Sequence, residues 1–314
     1  MPKDLAIHHQ PISELFPQPN SPEQWAQFQL SEEQIHHFNE QGYLSGVRLL
    51  NDTQVEALRT ELAEMVIPDH EGHDLFYEYH SNESGDPDTV LFHALGAWRV
   101  RPAFHDILWN PAFLMAAYQL LGKSFRLFHD QLFSKPAQHG GVVAWHQDFS
   151  CWTWTKPMSH LTCWIGLDDA DEENGCLHYV PGSHRWGLLK KTGLAGDMDS
   201  VQEILTPEQI KDFDRNCPII LKKGEATFHH PLMMHGSYEN RSDRSRRATV
   251  INVLTDGVLS SFEEKNSPGT TNFPIPPKDQ KMEGDYYPIL FDPEKELGDL
   301  KSSIPTIDNL QPHA

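Results

Sequence analysis

The chain is short of basic charge, has few cysteines and lacks any long apolar run. Its 314 residues carry 25 Lys and Arg against 45 Asp and Glu, a formal net charge of −20 at pH 7. A surface with that balance repels phosphate backbones and anionic lipid, so neither nucleic acid nor a membrane is an expected partner. Most of the acidic excess reads as solvated helix face and tail and carries no chemistry. No apolar stretch approaches the roughly eighteen residues needed to cross a bilayer. Met1 to Pro11 has no basic region leading into an apolar one, so no secretory signal is read there. The four cysteines (Cys151, Cys163, Cys176 and Cys217) include no C-x-x-C pair. Free thiols in a cytoplasmic protein are the expectation.

What is present falls into two halves. Residues 1–30, rich in Pro, Gln and His, read as an irregular arm. Ser31 followed three residues later by Gln34 is a capping-box pattern, which opens a helix to about Glu40 that Gly42 ends. A strand is expected over Tyr43 to Val47. From Thr53 to Met65, Val55, Leu58, Leu62 and Met65 recur at helical spacing, with Asn51, Asp52 or Thr53 as cap. These apolar residues are core. Asp69 to Asp88 is polar, and its Asp69, His70, His73 and Asp74 suit a solvated loop better than a metal site. A strand near Thr89–Phe92 follows. Asn110-Pro111 then reads as N-cap and first residue of a helix through Leu120.

From Phe125 the pattern changes to short strands, expected near 125–135, 142–149, 161–168, 176–180, 217–221, 225–230, 232–238 and 247–254. Gly140-Gly141, Asn174-Gly175, Pro181-Gly182, Gly224 and Asn240 punctuate them. Many short strands between turns indicate a mainly β fold with flanking helices, an antiparallel sandwich or jelly-roll barrel. The interval 183–216 is too long for a hairpin. Thr206-Pro207-Glu208-Gln209 caps a small helix inside it, and the rest looks like a loop over the barrel mouth, with 183–205 expected as a mobile lid. The tail from Leu259, rich in Pro, Asp and Lys, is expected along the outside. No internal repeat and no clean linker divides the chain.

Within the strand-rich half, His146-Gln147-Asp148 places an imidazole and a carboxylate at i and i+2, on one face of a strand. With His235 as a third ligand the set becomes a facial 2-His-1-carboxylate site, which leaves positions open on Fe(II) for oxygen chemistry. The triplet alone has no weight, because 19 His and 23 Asp placed at random in 314 residues give about 1.4 such triplets. Context supplies the weight. His146-Gln147-Asp148 is followed by Glu173-Asn174-Gly175-Cys176-Leu177-His178-Tyr179-Val180-Pro181-Gly182-Ser183-His184. Then comes His235-Gly236-Ser237-x-x-Asn240-x-Ser242-x-x-x-Arg246-Arg247. Together these resemble the phytanoyl-CoA dioxygenase-like family of Fe(II)/2-oxoglutarate-dependent oxygenases, over about residues 32–255. The segments EEQIHHFNEQGYL and EALRTELAEM resemble that family's helical preface.

The resemblance implies a double-stranded β-helix (jelly roll, cupin-like) in a single oxygenase domain, residues 1–314. Its parts are the arm (1–30), a helical preface with the first strands (31–124), the core (125–255) with the 183–216 insertion, and the Pro-rich tail (256–314). It also implies Fe(II) held by His146, Asp148 and His235, with 2-oxoglutarate as co-substrate and O2 as oxidant. Two neutral imidazoles and one carboxylate suit that metal. His229 and His230 are rival ligands, but Pro231 breaks the ladder between them and His235, and only His235 precedes the Gly-Ser of the family motif. Structural roles are expected for both.

The distal carboxylate of 2-oxoglutarate needs a fixed cation, and arginine's planar fork grips a carboxylate with two charge-assisted bonds. By the family's spacing that residue is Arg246. Arg247 is the close rival, although a one-residue shift would face it outward. Ser237 is placed to share the carboxylate. Gln131, Lys135, Thr162 and Trp164 are further family-matched positions for the co-substrate. Each fits an ordinary strand residue as well, and Lys135 a solvated one.

Halogenating members of the family carry a small residue in place of the Asp, so Asp148 argues for hydroxylation or a related oxidation such as desaturation or ring closure. By the family scheme, 2-oxoglutarate is decarboxylated to succinate and CO2 while an unactivated C–H is oxidised. The metal does that chemistry, and the protein orients substrate and excludes water. Phe149, Trp152 and Trp154 follow the metal segment at once and are the substrate-side candidates, with a core role equally open for the two tryptophans. The local pattern looks somewhat like members that hydroxylate small zwitterions such as ectoine. A fatty acyl-CoA would want a basic rim that this acidic chain does not advertise. A small metabolite or natural-product intermediate is the expected substrate. The alternatives are a metal cupin that uses no 2-oxo acid, such as an isomerase or hydrolase, and a non-catalytic module on the same barrel. Arg246 and Ser237 discriminate against the metal cupin, where neither has a required role, and the intact triad argues against the non-catalytic module.

Overall fold

Apolar residues alternating along the strands from Phe125 onward build two antiparallel sheets that face each other. The computed structural model describes residues 3–193, 197–263 and 272–309. In the first half lie helices α1 (Pro22–Trp25), α2 (Glu32–Gln41), α3 (Asp52–Met65), α4 (Pro102–Asp106) and α5 (Pro111–Leu121). Between them run strands β1 (Tyr43–Arg48), β2 (Glu78–His80) and β3 (Phe92–Leu95). The strand-rich half contains β4 (Phe125–Lys135), β5 (Val143–His146), β6 (Thr155–Lys156), β7 (His160–Gly166), β8 (Leu177–Tyr179) and β9 (Cys217–Pro218). It continues with β10 (Glu225–His229), β11 (His235–Ser237), β12 (Arg246–Thr255), β13 (Leu259–Ser260) and β14 (Ile289–Phe291). Helix α6 (Pro207–Phe213) lies within the insertion and α7 (Pro293–Leu297) in the tail.

The large sheet runs β1-β10-β7-β12-β4-β3-β2, with β14 added on β4. The small one runs β5-β11-β8-β9, and β6 pairs with β13 in a separate ribbon. Along β7 and β12 the two-residue period divides the side chains. Cys163, Ile165, Ile251 and Val253 join the helices in the main core. Trp164, Ala248 and Val250 pack with Leu177 and Tyr179 from the small sheet and with Met233 just before β11. This is a jelly roll with its helical layer on the outer face of the large sheet.

Local chemistry explains the helices. Ser31 with Gln34, Asn51 with Gln54 and Thr206 with Gln209 each form a reciprocal capping box, worth about 1 kcal/mol apiece. Asn110 accepts the amides of Ala112 and Phe113, Pro111 occupies the first turn, and Gly122 ends α5 at φ +73°. Nearly all of α5 is buried, because it is apolar all round and lies between the sheet and the N-terminal segment.

Several expected boundaries shift. The strand expected over 142–149 leaves its ladder at His146, and Asp148 opens a 3-10 turn (Asp148–Cys151). Gln147 stays extended at φ −112°, ψ 129°, so the two-residue period survives past the last sheet bond. The strand expected over 232–238 is only His235–Ser237, since Pro231 and Leu232 turn first. Asp69–Asp88 contains β2 besides its loop. The arm is not loose: Asp106 accepts the amides of Ile12 and Ser13 at 2.8 Å each, and Phe16 and Trp25 are buried. In the insertion, Val201, Leu205 and Phe213 pack on Trp145, Val180 and Met234, and Thr192 bonds to Trp145 O at 2.7 Å. Residues 194–196 of the expected lid lie outside the described residues. The tail does not merely run along the outside, because β14 extends the large sheet and Phe273 reaches the site. All four cysteines are free. Among the described residues no helix is long and apolar enough to cross a membrane.

Candidate active site

β5 and β11 are neighbours, with His146 directly opposite His235. Nδ1 of His146 bonds to Ala144 O at 2.8 Å, and Nδ1 of His235 to Met233 O at 2.9 Å. A carbonyl only accepts, so each Nδ1 carries the proton and each Nε2 keeps a lone pair for a ligand. Asp148 Oδ1 lies 3.5 Å from Nε2 of His146 and 3.7 Å from Nε2 of His235. One donor atom from each residue falls within 4.8 Å of the others, and all three residues are buried. Among the described residues no other such cluster occurs. Two imidazole nitrogens and one carboxylate oxygen on one side of a cavity fit Fe(II).

Asp148 is held from behind. Its Oδ2 accepts the Thr162 hydroxyl at 2.6 Å and Nε2–H of His229 at 2.9 Å. Nδ1 of His229 lies 2.8 Å from the Tyr179 hydroxyl, which serves as its donor. Burial opposes ionisation of Asp148, but the histidines around it outweigh that and hold the carboxyl well below its usual range. His229 thus touches the ligand carboxylate without belonging to the triad. His230 is turned away, taking the Leu232 amide on Nδ1 and lying against His184 with ring centroids 5.4 Å apart and planes 57° from parallel.

The cavity in front of the triad has a volume of about 350 Å³ and extends to Arg246, Ser237 and Trp164. Arg246 is fully enclosed, donating to Gly175 O at 2.9 Å and Ser237 Oγ at 3.2 Å. Its guanidinium carbon sits 5.4 Å from the centroid of the Trp164 ring. Its Nε is buried with no partner, and burial pulls its pKa down to about 10. Lys135 is also buried, with Nζ 2.5 Å from both Ser237 Oγ and Tyr238 O. Burial and then Arg246 push its pKa well below the ordinary amine value. The solvated reading of Lys135 is therefore corrected: β4 runs opposite β12 with Lys135 paired to Arg246, so both cations point between the sheets. Neither has a carboxylate partner among the described residues. Arg247, one residue on, faces the other way and grips Asp168 with two bonds of 2.8 Å.

Gln131, Thr162, Trp164, Trp152 and Trp154 all line the cavity. Phe149 does not; its ring lies 5.6 Å from that of His160, in the aromatic cluster of Phe128, Trp152, Trp154 and Tyr287. His229, expected in a structural role, lines the cavity too, and sequence reasoning missed His129, His93, Glu83, Lys191 and Phe273, which also line it. His129 was legible in principle, since it shares the inward face of β4 with Gln131 and Lys135 at two-residue spacing. His93 lies on β3, while Glu83, Lys191 and Phe273 come from loops or the tail and had no local signal.

The sequence pattern of the phytanoyl-CoA dioxygenase family matches residues 38–248, which include all three triad residues. The chain belongs to that family. Phytanoyl-CoA dioxygenase 1 of Oryza sativa subsp. japonica is 30% identical over 264 residues, covering 73% of this chain and 90% of the relative. Phytanoyl-CoA dioxygenase domain-containing protein 1 of Bos taurus is 35% identical over 150 residues, covering 46% of this chain and 50% of the relative. Among solved structures, the non-haem, α-ketoglutarate-dependent carbocyclase SnoK from nogalamycin biosynthesis aligns with TM-score 0.66 and 22% identity, over 87% of this chain and all of that one. EctD from S. alaskensis, solved with 2-oxoglutarate and 5-hydroxyectoine, aligns with TM-score 0.62 and 19% identity, over 90% of this chain and 94% of that one. These likenesses agree with the jelly roll. Membership makes the chain an enzyme of the 2-oxoglutarate-dependent dioxygenase class.

Proposed function

We propose that the chain oxidises a C–H bond of a small molecule, most simply by hydroxylation, with Fe(II) and 2-oxoglutarate as cofactor and co-substrate. O2 and 2-oxoglutarate are consumed; one oxygen atom enters succinate with loss of CO2, and the other enters the product. The observation that carries the reading is Arg246, a buried guanidinium in one cavity with the triad, with the buried Lys135 amine behind Ser237. Neither has a carboxylate partner among the described residues, and Arg246 Nε has no partner at all. Burying such charges is costly unless an anion pairs with them. A dicarboxylate between Arg246 and the metal supplies one.

In this reading His146, Asp148 and His235 hold iron, which supplies the oxygen chemistry when bound. Arg246 and Ser237 grip the distal carboxylate, Lys135 holds the Ser237 hydroxyl from behind, and Trp164 closes the side of the pocket. Thr162 and His229 fix the Asp148 carboxylate with Oδ1 towards the imidazoles. Trp152 and Trp154 form an apolar wall that holds substrate and keeps water away. A metal cupin without a 2-oxo acid has no use for the Arg246 and Lys135 pair.

The test is an anaerobic titration of the Fe(II)-loaded protein with 2-oxoglutarate, following the weak visible metal-to-ligand charge-transfer band. The band should form in wild type and be lost or greatly weakened in Arg246→Ala. Absence of any band in iron-loaded wild type would sink the oxygenase reading. A band that survives Arg246→Ala would keep the class and remove Arg246 from the carboxylate site.

A further inference from the structure

The wall of the cavity formed by β3 and β4 contains an ion pair that the reading above does not use. His93 on β3 is buried, and its ring stacks on Phe133 with centroids 4.5 Å apart and planes 10° from parallel. Nδ1 of His93 lies 2.6 Å from Glu83 Oε2, and Nε2 lies 3.0 Å from Gln131 Oε1. Both ring nitrogens therefore face oxygen atoms, the arrangement only a doubly protonated imidazole satisfies. An amide has one acceptor end and one donor end. With Oε1 committed to His93, the group that Gln131 has left for the cavity is its N–H2.

Strand register says what that N–H2 would meet. Val250 on β12 is flanked by Gln131 on one side and Trp164 on the other. The Arg246 guanidinium lies over the Trp164 ring, so Gln131 stands at the level where the co-substrate's carboxylate would be gripped. We propose that Glu83 and His93 are positioning residues that lock the Gln131 amide with its N–H2 turned inward, as a neutral donor to a carboxylate oxygen of the bound 2-oxo acid. This rests on the 2-oxoglutarate reading and adds to it a proton-dependent polarity: were His93 neutral, Nε2 would become an acceptor, the amide would turn over, and its carbonyl would face the anion.

The surrounding charges favour the locked state. Burial works against a charged His93, but the Glu83 contact outweighs it and raises the pKa above the ordinary imidazole value. Glu83 is correspondingly lowered, against its own burial, by the same bond. The other titratable groups facing His93 are on β2, where His80 stacks at 6.1 Å and Glu78 lies 3.6 Å from His80. His129, two residues before Gln131, is neutral because burial pulls it down to about 3. None of these competes for Nδ1 or Nε2.

The experiment is the anaerobic Fe(II)·2-oxoglutarate band, titrated to a dissociation constant from pH 6 to pH 8.5 in wild type, Glu83→Gln, Gln131→Ala and the double variant. Glu83 is partly exposed, so its isosteric replacement leaves the fold intact, which the melting temperature checks. Wild type should hold its affinity to higher pH than Glu83→Gln, because the Glu83 contact raises the His93 pKa. Glu83→Gln should lose about tenfold in affinity as the pH rises through the ordinary imidazole range, the scale of one charge-assisted bond turned into a repulsive contact. That pH dependence should vanish in the double variant, since there is no amide left to turn. Superposable pH profiles of wild type and Glu83→Gln would overturn the proposal, and so would a pH dependence that persists without Gln131. A protein that forms no band at any pH would instead count against the 2-oxoglutarate reading, so the two failures are distinct.

Discussion

Replacing Arg246 with Met should stabilise the ligand-free protein and destabilise it relative to wild type once 2-oxoglutarate is present. The magnitude follows from the site. Burial lowers the guanidinium from 12.5 to about 10, and at about 1.4 kcal/mol per pH unit this is roughly 3 kcal/mol against the charged, folded form. The folded pKa of this base lies below its unfolded value. The cost therefore applies in full below about pH 10 and fades only as the pH rises further. Against it stand the bonds to Gly175 O and Ser237 Oγ, each worth about 1.5 kcal/mol because the donor is charged. These nearly cancel the burial cost, so the net gain on removing the charge, relief of Lys135 included, is at most about 1 kcal/mol, a rise of no more than about 2 °C for a chain of this size. In wild type, 2-oxoglutarate at a hundred times its dissociation constant contributes about 2.7 kcal/mol, which reverses the order. The assay is thermal unfolding at pH 8 with a divalent metal, with and without 2-oxoglutarate. An Arg246→Met protein that melts several degrees below wild type without ligand would refute the reasoning. It would show the guanidinium to be a net stabilising member of the core.

Other expectations follow from neighbouring features. His229→Leu removes one of the two donors to Asp148 Oδ2 and should weaken metal affinity about 10–100-fold; unchanged competition with a chelator would contradict that. Gly175→Ala places a methyl 2.4 Å from Tyr238 O at φ +77°, so it should lower stability by well over 1 kcal/mol and disturb the carbonyl that anchors Arg246. Urea unfolding and the 2-oxoglutarate titration check both effects. Phe128→Ala opens the cluster beneath Trp152 and Trp154 and should cost about 3–5 kcal/mol in a urea midpoint measurement, while the triad keeps its metal.

Much of this site was legible because its parts lie on periodic elements. His146, Asp148, His235 and Arg246 occupy strands or their immediate ends, where two-residue spacing and family motifs determine which way a side chain points. The same spacing separated Arg246 from Arg247, which the structure sends to opposite faces. Caps at Ser31, Asn110 and Thr206 were readable for a similar reason, being local chemistry between residues two or three apart. What sequence could not supply was contact at long separation. His229 reaches Asp148 across 81 positions and β14 reaches β4 across more than 160. Lys135 looked equally fit for solvent, because only the pairing of β4 with β12 reveals that its side of the strand faces the other sheet. Phe149 shows the opposite limit: a residue next to a metal ligand in sequence turned away when the strand gave way to a 3-10 turn.

The tail has a consequence for how such a scaffold diversifies. The family pattern ends at residue 248, yet Phe273 forms part of the cavity wall and β14 is bonded into the large sheet. The proposed metal ligands and Arg246 all precede that end point, whereas this wall residue follows it. A substitution at Phe273 would therefore reshape that wall without touching the triad or Arg246. One wall of the cavity is thus encoded apart from the triad, while Trp152 and Trp154 remain beside it.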